Sequence, residues 1–210
     1  MALDKKKAVL AGVTGGALEL AKVVPGLGAL IESVRGYQEN IENQQREALV
    51  EVLSIRMDEM RDNAEWYKSP DGEEFVKKVV ATALNAEYTD KIEYLANVLV
   101  NGPQLANDNA RRQKFVEMVR QLSKPALDVL VASLKHRSGT GQVIAGDLAR
   151  ILGWHPSMVD ACVQELYAVG AFSNVTAWYT QGEIHPVTSF QAGTAAVTDI
   201  TQGLARFISC

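Results

Sequence analysis

The chain has few of the residues that carry chemistry in small proteins. It contains two cysteines and three histidines among 210 residues. Two cysteines, Cys162 and Cys210, are too few for a disulfide framework, so the composition favours a reducing, cytoplasmic compartment. The histidines His136, His155 and His185 lie far apart, and none has a partner at a spacing typical of zinc ligands. We therefore expect no metal site and no other cofactor.

The sequence fingerprints of common enzyme classes are also missing. There is no Gly-x-Ser-x-Gly, Walker A or dinucleotide-binding pattern, and Gly139-Thr140-Gly141 lacks the rest of such a motif. Glu-x-x-His pairs, which hold two metal ions in some helical bundles, do not occur. Four carboxylates with interleaved arginines are typical of a solvated helix face: Asp58, Glu59, Asp62 and Glu65. We predict a protein that is not an enzyme.

Positive charge and long apolar runs are scarce as well. The 25 acidic and 21 basic residues give a net charge of −4, so no overall basic field attracts phosphate. No uninterrupted apolar run reaches the ~18–20 residues that span a bilayer. The composition alone therefore favours neither a nucleic-acid-binding protein nor an integral membrane protein.

The N-terminal segment leaves two hypotheses open. Residues 8–34 are rich in Ala, Val, Leu and Gly, and Pro25-Gly26 marks a hinge within them. Three lysines precede the segment: Lys5, Lys6 and Lys7. The segment either forms the central hairpin of a helical bundle or, once released, meets an anionic membrane surface. Glu19 and the lack of a clear cleavage site argue against a signal peptide.

Residues 1–123 show helical periodicity and no alternating strand pattern. The pattern predicts helices over 8–24, 29–34, 37–63, 73–88, 91–101 and 108–122, with a loop over 68–72. Thr89 or Asp90 is the expected N-cap of the helix that stops at Asn101-Gly102-Pro103. We expect these segments to form a bundle of five or six helices.

Two patterns predict that this bundle oligomerises. Gly12 and Gly16 are four residues apart, so they fall on one helix face and let another helix approach closely. An apolar stripe along helix 37–63 would pack against neighbouring helices; its members are Ile41, Ala48, Leu49, Val52, Ile55 and Met60.

The hinge Val24-Pro25-Gly26-Leu27-Gly28, a later Phe75 and the run Asp90-Lys91-Ile92-Glu93-Tyr94-Leu95 follow one another in this order. This organisation resembles a class of bacterial helical proteins to which no activity is attached. The resemblance therefore implies an all-helical fold and nothing about function.

The stretch from Asp147 to Phe172 organises the last third of the chain. It predicts two short helices with a tight turn at Gly153, where a positive φ is needed, and with Pro156 in the first turn of the second helix. Ala149 is small where the second helix passes closely. Apolar residues recur at helical spacing on the second helix and would face the core: Val159, Cys162, Val163 and Leu166.

The segments before and after these two helices contain further helix and strand patterns. A helix starts at Lys124-Pro125, and Gln142–Ile144 is a short strand. Residues 175–180 and 184–190 are β-prone and flank a turn, with Pro186 favouring an edge position. Ile200–Phe207 is similar to the Leu-Thr-x-x-Gly…Phe ending of winged-helix domains, although only one residue separates Thr201 from Gly203. Residues 124–210 thus resemble a winged helix-turn-helix domain.

That resemblance implies a recognition helix from Pro156 to Val169, but the charges argue against DNA as its target. Neither this helix nor residues 175–190 contain Lys or Arg, and residues 124–210 hold five basic and six acidic residues. The residues expected on the exposed face are His155, Ser157, Asp160, Gln164 and Glu165. The candidate contacts to a partner or to nucleic acid are Lys135, Arg137, Arg150, His155, Ser157 and Gln164.

The sequence therefore predicts a mainly α protein with a helical bundle over 1–123 and a winged helix-turn-helix with a small β-hairpin over 124–210. We expect regulation or assembly through a protein partner or a second copy of the chain, and no small-molecule substrate. The alternatives are a transcription regulator that binds DNA and a membrane-active effector whose N-terminal segment inserts.

Overall fold

The computed structural model describes residues 21–24, 27, 41–85, 90–105, 107–135, 142–174, 177–180, 183–186, 194–197 and 199–209. Within these residues the chain is mainly helical, as predicted. It divides into two compact units, one up to Val116 and one over Glu117–Ser209. This division lies inside a helix that ends just before the predicted boundary at 123/124. The predictions for Gly12, Gly16 and most of the segment 8–34 lie outside the described residues.

The helices of the first unit surround one central helix. In chain order the elements are α1 (Ile41–Ile55), α2 (Met57–Arg61), α3 (Ala64–Tyr67), α4 (Pro70–Ala83), α5 (Ile92–Asn101), a 3-10 turn (Gly102–Leu105) and α6 (Asn109–Gln121), of which the last part belongs to the second unit. Helix α5 packs against α1 and α4, and eight of its ten residues are buried. Burial on all sides identifies α5 as the core of this unit.

The single helix predicted over 37–63 is wrong, because the chain leaves the helical conformation at Arg56, where φ is −105° and ψ is 21°. The Arg56 guanidinium donates to the side-chain oxygen of Asn97 on α5 and makes two hydrogen bonds, 2.9 and 2.8 Å long, to the Glu59 carboxylate. The Arg56–Asn97 contact spans 41 residues of sequence, so local periodicity does not reveal it.

The buried face of α1 and α2 also differs from the predicted stripe. Among residues 47–61, where side chains are described, those of Leu49, Val50, Leu53 and Met60 are buried. The side chain of Ile41, also predicted in the stripe, lies outside the described ones. Val50 and Leu53 were not in the stripe, whereas Ile55, which was, is 82% exposed. Ala48 and Val52 are half-buried, so the row that they form with Ile55 lies along the flank of the helix. The oligomerisation predicted from this stripe stays a prediction.

The loop predicted over 68–72 is wrong, since α4 begins at Pro70. Ser69 is its N-cap, and the Ser69 hydroxyl accepts a 3.1 Å hydrogen bond from the backbone N–H of Gly72. A Cβ on Gly72 would lie 2.1 Å from the carbonyl oxygen of Trp66. Gly72 therefore serves a close backbone approach inside the first turn of a helix.

Other helix boundaries of the first unit agree with the sequence more closely. Helix α5 ends at Asn101 and α6 begins at Asn109, as predicted. The N-cap of α5, however, is Lys91, which makes no side-chain capping bond, and Asp90 lies in the preceding 3-10 turn. Thr89 lies outside the described residues. Helix α4 ends at Ala83, whereas the sequence extended it to residue 88.

A buried arginine on α6 joins that helix to three other elements of the first unit. The Arg112 side chain is fully buried, and its guanidinium carbon lies 5.0 Å from the ring centroid of Trp66 and 5.5 Å from that of Phe75. Its Nη1 donates to the carbonyl oxygen of Leu105 (2.9 Å), and its Nη2 donates to Oδ1 of Asn109 (3.1 Å). Burial lowers the pKa of this guanidinium. Arg112 thus fixes α6 against α3, α4 and the 3-10 turn.

We predict that Arg112→Lys lowers the free energy of unfolding by about 1.5–3 kcal/mol. Lysine keeps the charge but loses the planar fork that bonds Leu105 and Asn109 and stacks on the two rings. Urea unfolding followed by circular dichroism measures the change. The matched control is Arg61→Lys, because the Arg61 side chain is 48% exposed and its 3.0 Å ion pair with Asp58 lies at the surface, so we expect a cost under about 0.5 kcal/mol. Equal losses in the two variants would contradict the role assigned to Arg112.

The second unit packs its helices around α7. Its elements are α7 (Lys124–Lys135), β1 (Gln142–Ile144), α8 (Ala145–Leu152), α9 (Pro156–Ala168), β2 (Phe172–Asn174), β3 (Ala177–Thr180), β4 (Glu183–Pro186), β5 (Thr194–Val197) and α10 (Asp199–Ile208). Helix α7 packs against α8, α9 and α10. The first helix starts at Lys124 and the first strand covers 142–144, where the sequence predicts them.

The described strands of the second unit form two antiparallel sheets. One sheet has the order β1-β5-β2, with Gln142 opposite Ala196 and Phe172 opposite Val197. The other pairs β3 with β4, with Ala177 opposite Pro186. The sequence did not predict β2 or β5, and it started the return strand at 184, one residue after the observed start of β4. Residues 187–190 lie outside the described residues.

The two helices predicted between Asp147 and Phe172 are confirmed as α8 and α9. Gly153 in the turn between them has a φ of +68°, the left-handed conformation that the sequence predicted. The residues predicted to face the core are buried: Ala149, Val159, Cys162, Val163 and Leu166. Near the other end of the unit, the Thr201 hydroxyl on α10 donates to the carbonyl oxygen of Ala171, just before β2. The inner face of α9 is therefore packed in the core of the second unit.

Candidate interaction surface on helix α9

The beginning of α9 is fixed by the two residues that precede and follow Pro156. His155 has an extended backbone, and its Nδ1 accepts a hydrogen bond from the backbone N–H of Ser157 at 3.3 Å. The same ring nitrogen lies 2.8 Å from the Ser157 hydroxyl. His155 is therefore the N-cap of α9 and Pro156 occupies the first turn, where its missing N–H costs nothing. Both His155 and Ser157 stay exposed at this end.

The inner face of α9 carries the cysteine that the sequence interpreted as a small buried hydrophobe. Cys162 is 3% exposed, which confirms that interpretation. Burial raises the pKa of its thiol, and the nearby carboxylates of Glu165 and Asp128 raise it further. The thiol is therefore held in its neutral form and is a poor nucleophile at neutral pH.

The sequence interpreted Glu165 as an exposed acidic residue, and this is wrong. Its carboxylate accepts two hydrogen bonds from Ser123, one from the backbone N–H at 2.9 Å and one from the hydroxyl at 3.0 Å. The Ser123 hydroxyl in turn accepts a 3.3 Å bond from the N–H of Ala126 in the first turn of α7. Glu165 thus anchors α9 to the start of α7, 42 residues away in sequence.

The remaining side of α9 faces solvent and carries almost no charge. We define the α9 outer face by its exposed residues: Pro156, Ser157, Met158, Asp160, Ala161, Gln164 and Ala168. Asp160 is the one charged member of this set. The other side chains are small, apolar or uncharged, whereas ordinary exposed helix faces are rich in Lys and Glu.

Two exposed apolar residues mark this region, and sequence reasoning missed both of them. Among the described residues three large hydrophobic side chains are exposed, and two of them lie here: Ile151 at 44% and Met158 at 43%. Ile151 is in the last turn of α8 and Met158 in the first turn of α9, so they stand on the two sides of the turn at Gly153. One signal of this exposure was present in the sequence. Ile151 and Met158 are apolar, but neither belongs to the row of predicted core residues that includes Val159, Cys162 and Val163.

The predicted contact residues have different positions in the structure. Gln164 and Ser157 lie on the α9 outer face, and His155 caps its beginning. The Arg150 side chain is 77% exposed on α8 and forms an ion pair with Asp147 one turn away. Lys135 is exposed at the end of α7. The other predicted site residues lie outside the described residues: Arg137, Lys5, Lys6, Lys7, Pro25 and Gly26.

The carboxylates that the sequence assigned to one solvated helix lie in separate short elements. Glu59 binds Arg56, and this hydrogen bond lowers the pKa of the Glu59 carboxyl. Glu65 pairs with Lys68 at 2.8 Å, and that bond likewise lowers the pKa of Glu65. Among the described residues no group of three or more His, Cys, Asp or Glu side chains is arranged to hold a metal ion. Nor does any helix in this part of the chain have the length and apolar character needed to cross a membrane.

Comparisons with known proteins identify no relative. No protein-family model matches the chain, and neither curated proteins nor solved structures give a match.

We predict that Glu165→Ala lowers the free energy of unfolding by about 1–3 kcal/mol. The change removes both acceptors of the Ser123 bonds and leaves the first turn of α7 without its anchor. Thermal and urea unfolding measure the loss. The matched control is the adjacent Gln164→Ala on the exposed side, which we expect to change stability by no more than about 0.5 kcal/mol. A loss in Gln164→Ala as large as that in Glu165→Ala would contradict the anchoring role.

Proposed function

We propose that residues 124–209 are a winged helix-turn-helix module that binds protein through the α9 outer face. The order of elements supports the domain assignment: helix α7, strand β1, helices α8 and α9, strands β2 to β5 and helix α10. The sheet order β1-β5-β2 supports it as well, because β1 pairs with the strand that leads into α10. The paired strands β3 and β4 correspond to the tip of the wing.

The residues of the α9 outer face indicate which kind of partner the module binds. In DNA-binding helix-turn-helix proteins the second helix enters the major groove, and its affinity depends on Lys and Arg contacts to phosphate. Here α9 has no Lys or Arg, and its one exposed charge, Asp160, would repel the phosphate backbone. The strands β3 and β4 contain no Lys or Arg either. Such a surface suits an apolar protein contact far better than a polyanion.

The exposed apolar residues favour the same conclusion. Met158 and Ile151 expose surface whose burial releases roughly 25 cal/mol per Å². Methionine is common at protein interfaces because its flexible side chain adapts to a partner, whereas Lys and Glu are depleted there. We therefore propose a cytoplasmic, non-enzymatic protein that acts in regulation or assembly, with its winged helix-turn-helix as the recognition module. The oligomerisation of the first unit and the membrane-active alternative for residues 8–34 stay predictions.

DNA binding is the competing function, and a gain-of-charge variant tests the two together. We expect the wild-type chain to give no salt-dependent rise in fluorescence anisotropy with a labelled random-sequence duplex, even at low salt. The triple variant Asp160→Arg, Ala161→Arg, Gln164→Arg places three cations on the α9 outer face. We expect it to bind the same duplex at least tenfold more tightly than wild type, with an affinity that falls steeply as salt is raised.

The control adds the same charge on the exposed side of α1 in the first unit, through Glu47→Arg, Glu51→Gln and Ile55→Arg. A smaller gain in this control would show that the position of the charges matters as well as their number. Tight, salt-sensitive binding by the wild-type chain would contradict the proposed function and would favour a winged helix that binds nucleic acid.

A further inference from the structure

We propose that Met158 is a site of reversible oxidation, at which a peroxide converts the exposed thioether on the α9 outer face into a sulfoxide. The product is polar, so the modification changes the surface to which we assign protein binding. The oxidation itself does not depend on the proposed function, whereas its effect on partner binding rests on it.

The first argument is the difference in exposure between Met158 and the other described methionines. Met158 is 43% exposed, whereas Met60 is 0% and Met118 is 3% exposed. Met57, at the start of α2, is half-buried. A dissolved peroxide has to reach the sulfur atom, so a buried thioether reacts only when the fold opens around it. Met158 is therefore the described methionine that such an oxidant reaches most easily.

The second argument is the protection of the other sulfur atom on α9. Cys162 is 3% exposed on the inner face, and burial raises the pKa of its thiol. Peroxides react with the thiolate rather than with the neutral thiol, so both burial and protonation protect Cys162. An oxidant in the solvent thus reaches one sulfur atom of α9 and not the other.

The third argument is that the start of α9 does not depend on the Met158 side chain. The backbone N–H of Met158 donates to the carbonyl oxygen of His155 at 3.0 Å, and the N–H of Val159 donates to the same oxygen at 3.4 Å. The buried row of α9 begins at Val159, which is 0% exposed. A change of polarity at position 158 therefore alters the outer face and leaves the packing of α9 intact.

The chemistry balances with hydrogen peroxide as the oxidant. A lone pair on the thioether sulfur of Met158 attacks one peroxide oxygen, so an S–O bond forms as the O–O bond breaks. The sulfur loses two electrons, the hydroxide that leaves takes the proton of the transferred oxygen, and water is the second product. In the reverse direction, methionine sulfoxide reductases use two electrons from a dithiol, which yields the thioether, a disulfide and water.

The consequence for the α9 outer face is a loss of apolar surface. A methionine side chain is flexible and apolar, whereas its sulfoxide carries a hydrogen-bond acceptor that water solvates. Burying such an acceptor without a donor costs free energy. Oxidation therefore weakens an apolar contact at Met158, and reduction restores it.

Peroxide footprinting of the full chain tests the site. Peptide mass spectrometry measures the rate at which hydrogen peroxide oxidises each methionine, in the native chain and in the chain unfolded in guanidinium chloride. We expect the native rate at Met158 to lie within about threefold of its unfolded rate, and the native rates at Met60 and Met118 to be at least about tenfold lower than theirs. Circular dichroism verifies that the oxidised chain stays folded. Protection of Met158 equal to that of Met60 would overturn the proposal.

Hydrophobic-interaction chromatography tests the effect on the surface, in a chain with Cys210→Ser. We expect peroxide to shorten the retention of this chain, and reductases for both sulfoxide epimers with dithiothreitol to restore it. Met158→Leu conserves volume and removes the sulfur, so its retention should not respond. Met57→Leu is the matched control and should respond like the parent. An equal response of Met158→Leu and the parent, or no recovery with the reductases, would overturn the reversible switch.

The outcomes separate this inference from the proposed function. A protected Met158 in a wild-type chain that binds no DNA would overturn the inference and leave the proposed function standing. Rapid oxidation of Met158 in a wild-type chain that binds DNA with a steep salt dependence would overturn the proposed function and leave the oxidation site standing.

Discussion

The carboxylate of Glu165 decides which side of α9 remains for contact with other molecules. Its two hydrogen bonds to Ser123 join the middle of α9 to the start of α7, and α7 in turn packs against α8 and α10. A carboxylate that accepts two hydrogen bonds at a helix start interacts more strongly than a typical surface ion pair, because its negative charge also interacts favourably with the helix dipole. With Glu165 and the apolar row of α9 turned inward, the outward side is the nearly uncharged surface described above. The exposure of Met158 and Asp160 follows from this anchoring.

This arrangement separates the shape of a domain from its function. The proposed winged helix-turn-helix assignment would lead to the expectation that α9 reads DNA, but the exposed residues of α9 include no Lys or Arg and only one charged side chain. Fold alone does not determine what such a helix binds, since function depends on the chemistry of the exposed side chains. In this chain the exposed apolar and small residues of α9 argue for a protein surface.

The sequence predicted features that depend on neighbouring residues and missed those that depend on distant ones. The start of α9 at Pro156, the left-handed turn at Gly153 and the burial of Cys162 all follow from local spacing. The break at Arg56 does not, because it accompanies a bond to Asn97 on another helix. Strand β5 was missed since its partners β1 and β2 lie far along the chain on its N-terminal side.

On the candidate surface, too, the sequence predicted only the positions that local spacing determines. Sequence patterns identified Ser157 and Gln164 as exposed positions of α9, but they misassigned Glu165, whose partner Ser123 is 42 residues away. In the first unit Arg112 has the charge of a surface residue, yet it is fully buried between Trp66 and Phe75. A buried cation of this kind depends on aromatic rings from other helices, so no local sequence pattern predicts its burial.

The measurement that tests the central claim most directly is the rate at which a maleimide labels a cysteine introduced at position 158, compared with the rate for Cys162, in a chain in which Cys210 is replaced by serine. If Glu165 holds the inner face of α9 in the core, the introduced thiol is labelled quickly, Cys162 is labelled slowly, and Glu165→Ala raises the rate for Cys162. Fast labelling of Cys162 without that substitution, or an unchanged rate with it, would contradict the account.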